Sequence, residues 1–263
     1  MHENRCTVTV NDDGVAHLRL TRVAGRNAID RTMVEAIAHA TDSIEADDRI
    51  RSLLITGDGP SFCVGGDLKY FTDNLDTLAD EFDTMVSLWH RTLPRLAELP
   101  YAVVTAIHGG TAGGGLGLVW CADHVIAGES TKIATGFSDL GLSGDGGSSW
   151  HLPRLVGMRR AQEMILENRV LDATTALEWN LVNRVVPDAE LVDTALERAR
   201  WFATRSITAT REGKRLLAAA TSSTHREQLA AEHQAMLVCG SAQDAQAGIR
   251  AFIERKAPTF LDR

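Results

Sequence analysis

The stretch Ala102-Val103-Val104-Thr105-Ala106-Ile107-His108-Gly109-Gly110-Thr111-Ala112-Gly113-Gly114-Gly115-Leu116-Gly117 decides the architecture. Its first six residues are uncharged and rich in valine, the pattern of a strand buried on both faces. The glycines that follow lead into the apolar run Leu118-Val119-Trp120, so the expected local order is strand, glycine turn, helix. That order aims backbone N–H groups at a ligand. It equally suits a tight turn where only glycine lets two backbones approach. Two nucleotide-binding patterns are absent: no Gly-Lys-Ser/Thr closes a P-loop, and no glycine triple fits GxGxxG.

Upstream, strand and helix signals alternate. Val15 to Leu20 alternates in part, and Met33, Ile37, Ala40 and Ile44 form a helical stripe. Ser52 to Thr56 is a compact apolar run stopped by the turn cluster Gly57-Asp58-Gly59-Pro60. A second stripe runs through Leu75, Leu78, Phe82, Met85, Val86, Trp89, Leu93 and Leu96. Alternation of this kind indicates an α/β fold. From about Asp172 the pattern turns helical, with Asp172 placed as an N-cap and helices expected over Asp188–Arg205, Thr224–Val238 and Ala242–Lys256. The expected organisation is an α/β core over residues 1–195 and a C-terminal helical region over 196–263, with no linker or repeat between them.

Composition narrows the function. The 263 residues carry a formal charge of −8, which argues against nucleic acid as a partner, because polyanion binding needs clustered Lys and Arg. Cys6, Cys63, Cys121 and Cys239 are scattered, with neither zinc-site spacing nor a disulfide framework, and read as reduced thiols. The N-terminus has no apolar signal core, and no run reaches the roughly 18 apolar residues of a membrane span. The expected location is cytoplasmic, without membrane or metal.

Two further segments bear on chemistry. Ser61-Phe62-Cys63-Val64-Gly65-Gly66-Asp67-Leu68 follows the second apolar strand and offers an exposed N–H at Gly66. Two N–H groups from separate strand ends form an oxyanion hole, which stabilises charge on a carbonyl oxygen. In Leu140-Gly141-Leu142-Ser143-Gly144-Asp145-Gly146-Gly147-Ser148-Ser149-Trp150 a carboxylate sits among glycines with apolar flanks. Asp145 reads either as a turn or cap residue or as a base or nucleophile whose basicity rises near apolar walls. Ser148 does not fit the GxSxG elbow.

Together these segments resemble the crotonase superfamily of enoyl-CoA hydratases and isomerases. The resemblance spans nearly the whole chain, from Leu20-Thr21-Arg22-Val23 and Asn27-Ala28, through Gly65-Gly66-Asp67-Leu68 and Gly113-Gly114-Gly115, to Phe252-Ile253-Glu254-Arg255-Lys256-Ala257-Pro258-Thr259-Phe260. It implies a spiral of ββα units whose helical tail completes homotrimers, often paired into hexamers. It implies an acyl-CoA thioester as substrate, no separate cofactor, and oxyanion donors at the N–H groups of Gly66 and Gly114. Backbone at Gly66, Asp67, Leu68 and Lys69 would hold the adenine end of CoA. Phe252 and Lys256 would reach a neighbouring subunit's CoA. By residue type, Phe137, Trp150 and Trp89 read either as walls of the acyl pocket or as core aromatics.

The departures from the pattern are informative. The two glutamates of the family's hydratases correspond here to Gly117 and Phe137, neither of which can hold a water. Asp145 falls where the isomerases of the phenylacetate pathway, the 1,2-epoxyphenylacetyl-CoA isomerase group, carry their aspartate. The sequence from Gly141 to Gly157 and the tail from Gly240 also look like that group. The leading expectation is an enoyl-CoA double-bond isomerase with Asp145 as proton shuttle. Trp89-His90 with Asp145 and Gly114 also resembles the 4-chlorobenzoyl-CoA dehalogenases, in which an aspartate attacks the ring and a histidine, here His90, activates water. An enoyl-CoA hydratase or lyase remains a further alternative. So does a CoA-ester-binding protein without turnover.

Overall fold

The computed structural model describes residues 5–260. Its strands are β1 (Cys6–Val10), β2 (Val15–Leu20), β3 (Ser52–Gly57), β4 (Ala102–Ile107), β5 (Gly110–Ala112), β6 (His124–Gly128), β7 (Lys132–Ala134), β8 (Leu171–Asp172) and β9 (Arg184–Val186). Six of them form one sheet in the order β1-β2-β3-β4-β6-β9, and β5-β7-β8 form a second. In the large sheet only the β1–β2 pair is antiparallel. All six residues of β4 are buried, as its uninterrupted apolar run requires of a parallel strand covered on both faces.

Between these lie α1 (Arg31–Glu45), α2 (Leu68–Asp73), α3 (Leu78–Ala97), α4 (Gly117–Trp120), α5 (Ser148–Val156), α6 (Met158–Leu166) and α7 (Ala173–Glu178). Then come α8 (Leu191–Ala203), α9 (Ile207–Ala219), α10 (His225–Ser241) and α11 (Gln243–Ile253). The chain visits the two sheets in turn. After β2 it makes a parallel bridge from Ile29 to Gly66 and enters α1. After β3, Cys63 bridges in parallel to Thr111 before α2. After β4 comes β5, then α4; after β6 comes β7, then α5. Each turn places one strand in the large sheet, one short extended segment in the second layer, and then a helix. This is the ββα spiral of the crotonase fold.

Local chemistry explains the helix starts. Asp30 caps α1 by accepting from Met33 N at 2.8 Å, and the expected stripe Met33, Ile37, Ala40, Ile44 is buried. Asp172 caps α7 through Thr175 N at 2.8 Å, as expected. In α3 the buried face is Met85, Trp89, Thr92, Leu93 and Leu96, but Leu75 belongs to a preceding 3-10 turn and is exposed. The expected stripe therefore began one turn too early. The glycine segment also differs from a simple turn: Gly110–Ala112 is itself a strand of the second sheet, and Gly113–Leu116 is a 3-10 turn.

The helical tail is met by α8, α10 and α11, while α9 was not read from the sequence. Residue 195, where the core was expected to end, lies inside α8. That helix buries Leu191, Ala195, Ala199 and Ala203 against Val15, Leu54, Val104 and Ile126 of the sheet, so the change of packing comes after Ala203. Beyond it, α10 packs on α9 and α11 and buries only Ala235. The four cysteines are free. Among the described residues no helix is long and apolar enough to cross a membrane, and no group of three or more His, Cys, Asp or Glu could hold a metal ion.

Candidate active site

The second layer brings Gly66 and Gly114 together. Cys63 and Thr111 pair, Ala112 N donates to Cys63 O at 2.9 Å, and the chain then turns through Gly65 (φ +89°) and Gly113 (φ +54°). A Cβ on Gly65 would lie 3.0 Å from Ala112 O, so the two backbones approach at a distance only glycine tolerates. Gly66 N lies 3.9 Å from where a Cβ on Gly113 would stand. Asp67 N donates to Ile29 O and Ile29 N to Gly65 O, which fixes the peptide before and after Gly66. Among the described residues no protein acceptor takes up the N–H of Gly66 or Gly114, and both residues line one cavity.

Asp145 stands beside this pair. Its turn runs through Gly146 (φ +59°) and Gly147 (φ +84°) into α5, and Ser148 N closes it on Asp145 O at 3.1 Å. A Cβ on Gly114 would be 3.1 Å from Asp145 Oδ1 and 3.4 Å from Oδ2, so the carboxyl lies against the glycine itself. Oδ1 is buried without a hydrogen-bond partner. Burial raises the Asp145 pKa above the ordinary carboxylate value. A carboxyl so placed holds a proton more readily than one in water.

Two neighbours on α3 fasten these parts. The indole N–H of Trp89 donates to Gly114 O at 3.1 Å, and Gly146 N donates to His90 Nε2 at 3.1 Å. Beneath them Gly117 is buried, and a Cβ there would come 2.5 Å from Leu93 Cδ1 and 3.3 Å from Gly146 O. The space in which a longer residue 117 would stand is filled by Leu93.

The cavity measures about 800 Å³, with apolar walls from Phe71, Phe82, Met85, Phe137 and Leu142. Gly66, Leu68, His90, Gly114, Phe137 and Asp145 line it together, as does Trp89. Other expected residues stand elsewhere. Asp67 caps α2, accepting from Lys69 N and Tyr70 N, and pairs with Arg22 at 2.5 Å. The N–H groups of Asp67 and Lys69 are thereby consumed within the protein, and the Lys69 ammonium pairs with Asp73. Trp150 does not line the cavity: it projects from the outer face of α5, 49% exposed, with the Arg154 guanidinium 3.9 Å from its ring centre. Phe252 is 85% exposed on α11 and Lys256 pairs with Glu254, both away from this chain's cavity. The resemblance assigns those two to a neighbouring subunit's ligand.

Several supporting residues had no readable signal. Asn27, buried at φ +55°, donates through Nδ2 to the carbonyls of Asp58, Ser61 and Phe62, each at 3.0 Å, and so shapes the approach to Gly66. Asn168 accepts from Gly136 N at 2.6 Å and donates to Asp139, bracing the loop that carries Phe137. Both partnerships join segments distant in sequence. Only the Asn27-Ala28 pair could have drawn attention, through the family opening.

The fold and the paired glycine turns agree with comparison to known proteins. The family described as enoyl-CoA hydratase/isomerase matches residues 11–263. The 1,2-epoxyphenylacetyl-CoA isomerase of Escherichia coli (strain K12) is 35% identical over 255 residues, covering 96% of this chain and 97% of its own. A 4-chlorobenzoyl coenzyme A dehalogenase of Arthrobacter sp is 33% identical over 192 residues, 73% of this chain and 70% of its own. A solved enoyl-CoA hydratase/isomerase structure from Mycobacterium abscessus superimposes with a TM-score of 0.94 at 35% identity, covering 98% of this chain and all of that one. The chain belongs to the enoyl-CoA hydratase/isomerase family and has the crotonase fold. It is an acyl-CoA enzyme of that family, whose members include isomerases, hydratases and dehalogenases.

Proposed function

We propose that this protein is an enoyl-CoA double-bond isomerase that moves a 3-enoyl double bond into conjugation with the thioester. The observation that carries the reading is Asp145: one carboxyl whose Oδ1 is buried without a partner, lying against Gly114, in a cavity that Gly66 and Gly114 line with uncommitted N–H groups. The thioester oxygen accepts from Gly66 N–H and Gly114 N–H. Asp145 takes a proton from C2; the electron pair of that C–H bond becomes the C1–C2 double bond of a dienolate, with the negative charge on the held oxygen. The same carboxyl returns the proton to C4: the C3–C4 π pair forms the new C–H bond, the C1–C2 pair moves to C2–C3 and the oxyanion charge restores the carbonyl, so no group is gained or lost. A base whose pKa is raised by burial suits both halves of this transfer.

Hydration fits less well. Syn addition of water calls for two polar groups on one water, and position 117 is a glycine packed under Leu93 while position 137 is an aromatic wall. The second reading is aryl dehalogenation, favoured by His90 beside the Asp145 turn and by the dehalogenase relative. There the Asp145 carboxylate displaces halide from the ring, and water hydrolyses the aryl ester. The exposed Leu217, Met236 and Ile253 of α9 to α11 support the homotrimer, or hexamer, that the family likeness implies, and light scattering of the purified protein measures it.

The test is an ultraviolet assay with a panel of 3-enoyl-CoA esters. Conjugation raises absorbance with the wild type and not with Asp145→Asn, which should still bind the ester. Fast hydration of 2-enoyl-CoA with no conversion of 3-enoyl isomers overturns the reading. Chloride release from 4-chlorobenzoyl-CoA would favour the second one.

A further inference from the structure

The mechanism above uses Asp145 and two amides and leaves His90 without a task, although it lines the same cavity. A dehalogenase-like role requires the imidazole to accept a proton from water. Here Nε2 is already the acceptor for Gly146 N–H, at 3.1 Å. An N–H donor pointing at Nε2 requires a lone pair there, so the ring makes this bond only with its proton on Nδ1. His90 follows Trp89, whose indole N–H grips Gly114 O. Adjacent residues of α3 thus hold the two halves of the site: Trp89 the peptide that follows the Gly114 oxyanion donor, His90 the turn that presents Asp145. The halves touch each other as well, since a Cβ on Gly146 would stand 3.1 Å from Gly114 O.

We propose that Trp89 and His90 form a positioning clamp, in which neutral His90, acting as hydrogen-bond acceptor for Gly146, fixes the Asp145 carboxyl relative to the Gly114 amide. His90 is then a positioning residue and not the base for water. This rests on Asp145 being the proton shuttle. The Asp145 turn needs such a hold because Gly146 and Gly147 both lie at positive φ and Gly144 has open space around it, so no side chain anchors the glycines on either side of Asp145. Displacing a reacting group by about 1 Å costs on the order of 10²-fold in rate.

The experiment compares His90→Gln with His90→Phe. Glutamine Oε1 is as many bonds from Cα as Nε2 and can accept from Gly146 but cannot take a proton from water. Phenylalanine keeps a ring and loses the acceptor. The clamp predicts that His90→Phe lowers kcat for 3-enoyl-CoA isomerisation roughly 10–10²-fold with KM little changed, and that His90→Gln restores most of the loss. Hydrogen exchange at the Gly146 amide should be faster in His90→Phe and return to the wild-type rate in His90→Gln. Nitrogen NMR of the wild-type ring should show the proton on Nδ1, a readout that needs no variant. Equal loss in both variants, unchanged activity in His90→Phe, or a proton on Nε2 overturns the proposal. If the wild type fails to isomerise any 3-enoyl ester, the isomerase reading falls, while the exchange and NMR measurements still decide whether the clamp exists.

Discussion

Replacing Gly117 with alanine puts a methyl group where Leu93 already stands. The added Cβ would lie 2.5 Å from Leu93 Cδ1 and 3.0 Å from Cδ2. Carbon atoms in contact prefer about 3.5–4.0 Å, so the overlap is about 1 Å. Leu93 is itself packed in the main core beside Trp89 and Leu96, and it cannot swing away into water. Overpacking of this kind costs about 1–3 kcal/mol. At about 2–4 °C per kcal/mol for a chain of this size, Tm should fall by about 2–12 °C. On its other side the new methyl faces Gly146 O at 3.3 Å, the backbone of the Asp145 turn, so isomerisation should fall as well. The assay is thermal unfolding at fixed protein concentration for Gly117→Ala, Leu93→Ala and the double variant. Leu93→Ala alone should cost about 2–5 kcal/mol. The double variant should lose less than the sum, by about 1 kcal/mol or more, because the methyl fills part of the cavity. Additive losses, or a Gly117→Ala variant as stable as the wild type, would refute the claim that Leu93 closes position 117.

Asp145→Asn should lose about 10²–10⁴-fold in isomerisation yet gain stability at neutral pH, by about 1 kcal/mol or 2–4 °C, since an unpaired carboxylate oxygen no longer needs burying. The Asp145 pKa is raised on folding, so the folded state binds the extra proton and the wild type loses stability as pH rises above the ordinary carboxylate value; the gain should vanish in acid. His151 titrates with the opposite consequence. Burial, with Arg154 adding to it, pushes its pKa down to about 4 from 6.5, so the unfolded chain takes up the proton first. Stability is lost as pH falls from about 6.5 to 4, and His151→Gln should show a shallower decline in Tm across that window. In Gly66→Ala the new Cβ would meet the Phe71 ring, with Cζ at 2.7 Å. That ring tip can move, so Tm should change by no more than about 2 °C while kcat/KM falls roughly 10–10²-fold. Equal effects on both would point to a fold defect instead.

Several features of the fold and site were legible because they depend on neighbours in sequence. The unbroken apolar run of β4, the stripe of α1 and the Asp172 cap are local patterns, and each formed where its residue types placed it. The glycines at 65–66, 113–114 and 146–147 marked the turns, because a backbone at positive φ or in close contact with another selects against a side chain. Reading went astray where solvent exposure decided the outcome. Trp150 has the composition of a pocket residue, but α5 turns its ring outward. Leu75 fits the α3 period and still falls outside the helix.

By itself the sequence determined an α/β fold, two glycine turns and a single carboxylate among glycines, because periodicity, capping and left-handed backbone are short-range constraints; the spiral followed only from the family resemblance. Only the tertiary structure decided that the three turns share one cavity, that Leu93 occupies the space at Gly117, and that His90, itself exposed, accepts a bond from Gly146. Those facts come from the pairing of second-layer strands and the packing of α3 across them. Contacts between residues 25 to 56 positions apart are set by how the layers stack, which no local pattern encodes.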